Sequence, residues 1–230
     1  MARLFHLIVP DDFDASFCTL WQPSPYKMHL KDRLGEQALR LRIVSDMLLQ
    51  YVLRHHYGLD DHGAAVGLTE LDKPFLINRR DLYFNLTHSG KLSALCVSST
   101  PCGVDAELRK KRSAEAKLVR RYFHTEEQAV YEALDEHRRT DYFFHIWTLK
   151  EAYLKAKGSG IRDSLSALCF VPSDSCAGEW ILKDQPQFWR LRSHDTVNED
   201  YIMSTALTGD DPDLQISNIE PRQMIQFFSK

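Results

Sequence analysis

The chain has 230 residues, 43% hydrophobic and 27% charged, an ordinary globular composition whose length admits one large domain or two small ones. A chain this long buries enough surface to fold without disulfides or a structural metal. Its 29 Lys and Arg against 32 Asp and Glu leave a net charge of −3, no global case for a nucleic-acid or membrane-surface protein.

In chain order, Arg3 to Val9 reads as a strand ended by Pro10, and Pro23 and Pro25 punctuate a loop. Glu36 to Tyr57 predicts a helix, with Leu39, Ile43, Met47 and Tyr51 at helical spacing and Gly58 as its stop. Three β-type segments follow, Ala64–Glu70, Asp81–His88 and Lys91–Ser98, then a short strand, Gly103–Glu107, and a highly charged stretch to Arg121. Thr125 to His137 predicts a helix opened by a capping box of Thr125 and Gln128. A second long helix spans Thr140–Lys157, with Tyr142, Ile146, Leu149, Tyr153 and Ala156 on one stripe and Gly158-Ser159-Gly160 ending it. Leu165–Val171, Gln187–Ser193 and Tyr201–Thr208 close the series as strands.

Each half therefore runs strand, helical region, three strands. This order predicts an α+β fold of two similar lobes, each with a three-stranded antiparallel sheet, packed as a pseudo-dimer within one chain. The lobes are expected at 1–101 and 102–230, with the active site in the cleft between them. No apolar run approaches the ~18 residues of a membrane span, and Leu7-Ile8-Val9 is too short for a signal-peptide core. The five cysteines are odd in number and contain no Cys-x-x-Cys pair, so they read as small buried thiols in a reducing cytoplasm.

Gly103-Val104-Asp105-Ala106-Glu107 puts two carboxylates on one face of a predicted strand, because side chains alternate. They either bracket a hard cation such as Mg²⁺ or form a solvent-facing edge. In Trp147-Thr148-Leu149-Lys150-Glu151-Ala152, Trp147, Glu151 and Lys155 share a helix side. Glu151 and Lys155 there are an ordinary i,i+4 pair, or a third metal ligand with a cation beside it. Asn85-Leu86-Thr87-His88-Ser89-Gly90 ends a strand in a polar turn where His88 can donate hydrogen bonds to phosphate or simply face water. Lys73, Arg33, Arg40 and Arg42 are further anion ligands or plain surface charges.

Together, Lys73-Pro74, Asn85-Leu86-Thr87-His88-Ser89, Gly103-Val104-Asp105-Ala106-Glu107 and Trp147-Thr148-Leu149-Lys150-Glu151-Ala152 with Lys155 resemble the motifs of the Sfp-type 4′-phosphopantetheinyl transferase family. Ala106 stands where a bulky aliphatic is commoner, and Thr87 where serine is. The resemblance implies a cytoplasmic, monomeric, Mg²⁺-dependent enzyme moving 4′-phosphopantetheine from coenzyme A to a serine of an apo carrier protein. It implies Asp105, Glu107 and Glu151 as metal ligands, Glu151 as base with Glu107 as a weaker candidate, and Lys155 at the leaving phosphate. It places coenzyme A on Lys73, His88, Ser89, Arg33, Arg40, Lys150 and Lys155. The same carboxylates would serve a metal-dependent phosphohydrolase, and the basic stretch a nucleotide- or nucleic-acid-binding module, which the negative overall charge disfavours. Arg109, Lys110, Lys111, Arg112, Lys117, Arg120 and Arg121 stand against Glu115 alone, so an acidic carrier is expected to dock along Arg109–Phe123.

Overall fold

The computed structural model describes residues 1–10, 36–110, 113–158, 165–185, 188–195, 200–209 and 214–229. In chain order the elements are β1 (Ala2–Ile8), α1 (Glu36–Tyr51) continued by a π-helical turn (Val52–His56), β2 (Val66–Leu68), β3 (Pro74–Leu76), β4 (Tyr83–Ser89) and β5 (Leu92–Ser98). Then come β6 (Cys102–Leu108), α2 (Glu115–Tyr122), α3 (Thr125–Ala133), α4 (Glu136–Lys157) and β7 (Phe170–Pro172). β8 (Glu179–Leu182), β9 (Trp189–His194), β10 (Tyr201–Thr208), β11 (Leu214–Asn218) and α5 (Pro221–Phe228) complete the α+β fold. Among the described residues no helix is long and apolar enough to cross a membrane.

The chain divides into two units, Met1–Thr100 with Asp211–Lys230, and Pro101–Asp210. The break after Thr100 lies within one residue of the boundary expected between 101 and 102, whereas Asp211–Lys230 falls with the first unit and not the second. β11 lies parallel to β1, Ala2 opposite Leu214, so the C-terminal segment returns to the first unit. The first unit's sheet runs β11-β1-β5-β4, with β2 and β3 paired separately, in place of the three strands expected. Helix α1 crosses β5 and β4, burying Val44, Met47 and Leu48, with Val52 of the π-helical turn, in one core with Leu7, Leu95 and Val97. Met224 of α5 joins that core.

The second unit's sheet has five strands, ordered β6-β10-β9-β8-β7, again more than the three expected. Helix α4 lies along β6 and β10, and its Phe143, Phe144, Ile146 and Leu149 are fully buried with Ile202 and Phe123. Gly158, at φ 73°, supplies the left-handed cap that stops α4. The N-cap of α3 is His124, not Thr125, and Glu127 completes the capping box in place of Gln128. Leu134 leaves helical geometry and Asp135 caps α4, so the single helix read to His137 is broken there. Cys96, Cys102 and Cys169 are buried free thiols, whereas Cys176 is exposed.

Candidate active site

Asp105 and Glu107 project from one face of β6, the terminal strand of its unit's sheet. Gly103, on the same face, is where α4 comes down. A Cβ there would lie 2.0 Å from the Ala152 carbonyl oxygen and 2.5 Å from the Ala156 nitrogen, so only glycine lets the helix backbone approach. The small side chains of Ala152 and Ala156, both buried, allow the same approach from the helix.

This close crossing sets the polar geometry. Lys155 Nζ stands 2.6 Å from Asp105 Oδ1 and donates to the Val104 carbonyl at 3.2 Å. Glu151, one turn earlier on α4, is brought into the same field. Burial pushes its carboxyl above the usual range, the Asp105 charge adds to the rise, Lys155 opposes it, and Glu107 raises it further. Three carboxylates and one ammonium thus converge within the second unit. The donor set is all hard oxygen, and the crowded negative charge on Glu151 is what a divalent cation would relieve, so these residues fit Mg²⁺.

Two further features hold the cluster in place. Arg109, two residues beyond Glu107 on the same face, pairs with Asp141 of α4 at 3.1 Å and with Asp195. Behind them, the Thr148 hydroxyl meets Ser204 at 2.7 Å and Ser204 meets Ser193 at 3.0 Å, a buried chain from α4 into β10 and β9. Ser204 lies opposite Asp105 in the β10–β6 register. Hydroxyl residues in helices and strands are too common for a sequence to single out this chain.

Lys150 is fully buried and spends its three N–H donors on Glu127 (2.8 Å), the Leu165 carbonyl (2.8 Å) and the Leu168 carbonyl (2.6 Å). It is an internal strut, so its expected contact with coenzyme A is corrected. Glu127, which no motif in the sequence marks, also accepts from the backbone N–H of His124 and of Phe170, each at 2.8 Å. Arg109 is committed to its two aspartates and is not free for the docking strip. Lys110, Lys117, Arg120 and Arg121 are exposed, Phe123 is core, and Tyr122 packs on Trp147. Lys111, Arg112 and Arg33 lie outside the described residues. Four candidates belong to the first unit: exposed Arg40 on α1, half-buried Lys73 before β3, and exposed His88 with half-buried Ser89 at the end of β4. Among the described residues of the second unit, the structure brings together Asp105, Glu107, Glu151 and Lys155.

Residues 101–206 match the family model described as the 4′-phosphopantetheinyl transferase superfamily. A 4′-phosphopantetheinyl transferase of Bacillus subtilis is 29% identical over 164 residues, 71% of this chain and 72% of its own length. The segment 101–206 is thus similar to the 4′-phosphopantetheinyl transferase superfamily. The 4′-phosphopantetheinyl transferase Sfp of B. subtilis (strain 168) is 33% identical over 119 residues, 52% of each chain. The transferase HetI of a Nostoc species is 29% identical over 169 residues, 62% of this chain and 71% of its own. The superfamily match lies within the second unit and contains all four clustered residues.

Proposed function

We propose that this protein transfers 4′-phosphopantetheine from coenzyme A to a serine hydroxyl of an apo carrier protein, releasing holo-carrier and 3′,5′-ADP. The observation that supports this reading is the convergence of Asp105, Glu107, Glu151 and Lys155 inside the segment that matches the superfamily. In this reading the serine oxygen attacks the pantetheine-side phosphorus of the coenzyme A pyrophosphate, and the bond to the 3′,5′-ADP oxygen breaks. Asp105, Glu107 and Glu151 would hold Mg²⁺, which when bound neutralises charge on the attacked and departing phosphates. A serine hydroxyl needs a base near neutral pH, and Glu151 takes that proton. Lys155 steadies the departing phosphate and can return a proton to it. His88, Ser89, Lys73 and Arg40 are proposed as coenzyme A phosphate ligands, and Lys117, Arg120 and Arg121 as the strip that orients an acidic carrier.

Intact-protein mass spectrometry of apo carriers incubated with enzyme, coenzyme A and Mg²⁺ tests the reading. One phosphopantetheine added per carrier is the expected result. Coenzyme A consumed equally without any carrier would instead make the protein a phosphohydrolase.

A further inference from the structure

A second cluster of donors lies away from the acidic residues of β6. His124, the N-cap of α3, Glu126, in its first turn, and Cys169, just before β7, present ligand atoms that all lie within 4.8 Å of one another. Three features mark this spot as built for a cation. The donors come from two chain segments far apart in sequence and differ in chemistry: one imidazole, one carboxylate and one thiol. Lys183 already brings an ammonium there, 2.6 and 2.8 Å from the two Glu126 carboxylate oxygens, and its backbone N–H donates to the Cys169 carbonyl at 3.0 Å. The thiol is buried.

We propose that His124, Glu126 and Cys169 form a binding site for a thiophilic divalent transition-metal ion, Zn²⁺ by its donor set. Sulfur and imidazole select such an ion over Mg²⁺, and three protein donors leave one tetrahedral position for water. At zinc's usual bond lengths neighbouring ligand atoms stand about 3.5 Å apart, so the cluster closes by about 1 Å. Glu126 is exposed and can make that movement. The competing Glu126–Lys183 pair has both side chains about half exposed, and such pairs are weak. Binding would tie the start of α3 to the strand hairpin β7–β8, on either side of the buried Lys150–Glu127 pair.

Cobalt titration of chelator-stripped protein provides the test, since Co²⁺ bound by thiolate shows a sulfur-to-metal charge-transfer band that carboxylates cannot give. One equivalent should bind with that band, and Zn²⁺ should displace it. Cys169→Ser should abolish the band, while Asp105→Asn should leave it unchanged. Glu126→Gln, at an exposed position, should weaken Zn²⁺ at least tenfold, measured by competition with a chromogenic chelator. Lys183→Met should tighten binding by roughly two- to fivefold, because it removes the competing ammonium. Absence of a sulfur band in the parent, its survival in Cys169→Ser, or unchanged Zn²⁺ affinity in Glu126→Gln would each overturn the site.

Discussion

The two units repeat one plan with different contents. In each, the first strand pairs antiparallel with a late strand, β1 with β5 and β6 with β10, and that strand pairs with its predecessor. In each, a long helix is pinned to the late strand by a buried hydroxyl pair, Ser45 with Ser93 at 2.9 Å and Thr148 with Ser204 at 2.7 Å. Both helix hydroxyls also donate to the carbonyl four residues back, from Leu41 and Phe144, each at 2.8 Å. Counted from these pairs, the contrast is direct. Ser93 faces Leu7 on β1, and Ser204 faces Asp105 on β6. Three and seven residues beyond Ser45 stand Leu48 and Val52, both fully buried, whereas beyond Thr148 stand Glu151 and Lys155. Two residues before Leu7 is Phe5, whose ring packs on His56 of the π turn; two before Asp105 is Gly103, where helix meets strand directly. Where the second unit carries Asp105, Glu151 and Lys155, the first unit carries the hydrocarbon side chains of Leu7, Leu48 and Val52. The scaffold therefore does not require charge at these positions of the second unit.

Exchanging residues between the equivalent positions gives the largest expected effects. Leu7→Asp buries an unpaired carboxylate at a fully buried position and should leave no folded protein by circular dichroism. Asp105→Leu should fold with a melting temperature within a few degrees of the parent. It should nevertheless lose carrier modification entirely, as should Glu151→Ala. A folded Leu7→Asp or an active Asp105→Leu would break the comparison.

Gly103→Ala comes next. Its methyl must push α4 off β6, costing about 3 kcal/mol in chemical denaturation. Activity should fall as the Lys155–Asp105 contact opens. Lys155→Ala should lower kcat by ~10²-fold with KM for coenzyme A little changed. A change in KM alone would assign Lys155 to binding.

Acid stability sharpens the comparison of buried histidines, which both units contain. Burial lowers His6 and His56 in the first unit, and His194 in the second down to about 4, first by burial and then by Arg192. The folded value lies below the ordinary 6.5, so as pH falls through 6.5 the unfolded chain takes up a proton that the folded one refuses. From there to about pH 5 this costs about 2 kcal/mol, which His194→Gln should remove from urea melts compared across that range. The smallest effect belongs to the exposed cations of α2. Arg120→Glu with Arg121→Glu should raise KM for an acidic carrier several-fold, less so at high salt, and leave KM for coenzyme A alone.

What the sequence by itself determined is what short-range pattern can carry. The stripe from Tyr142 to Ala156 marks α4, alternation marks β6, and Tyr201–Thr208 is a strand over its whole expected span. Spacing alone also put Asp105 with Glu107, and Glu151 with Lys155. Helix α2 escaped because only Glu115 and Val119 are buried on a charged segment, which leaves little apolar period to read. The tertiary structure decided the rest, because those outcomes depend on partners distant in sequence. Lys150 and Glu151 are neighbours that project about 100° apart around α4. One meets Glu127 inside the core while the other meets the acids of β6, and no local signal separates them. The pairing of β11 with β1 and the hold of Asp141 and Asp195 on Arg109 are likewise contacts made across the chain, fixed only when packing brings the segments together.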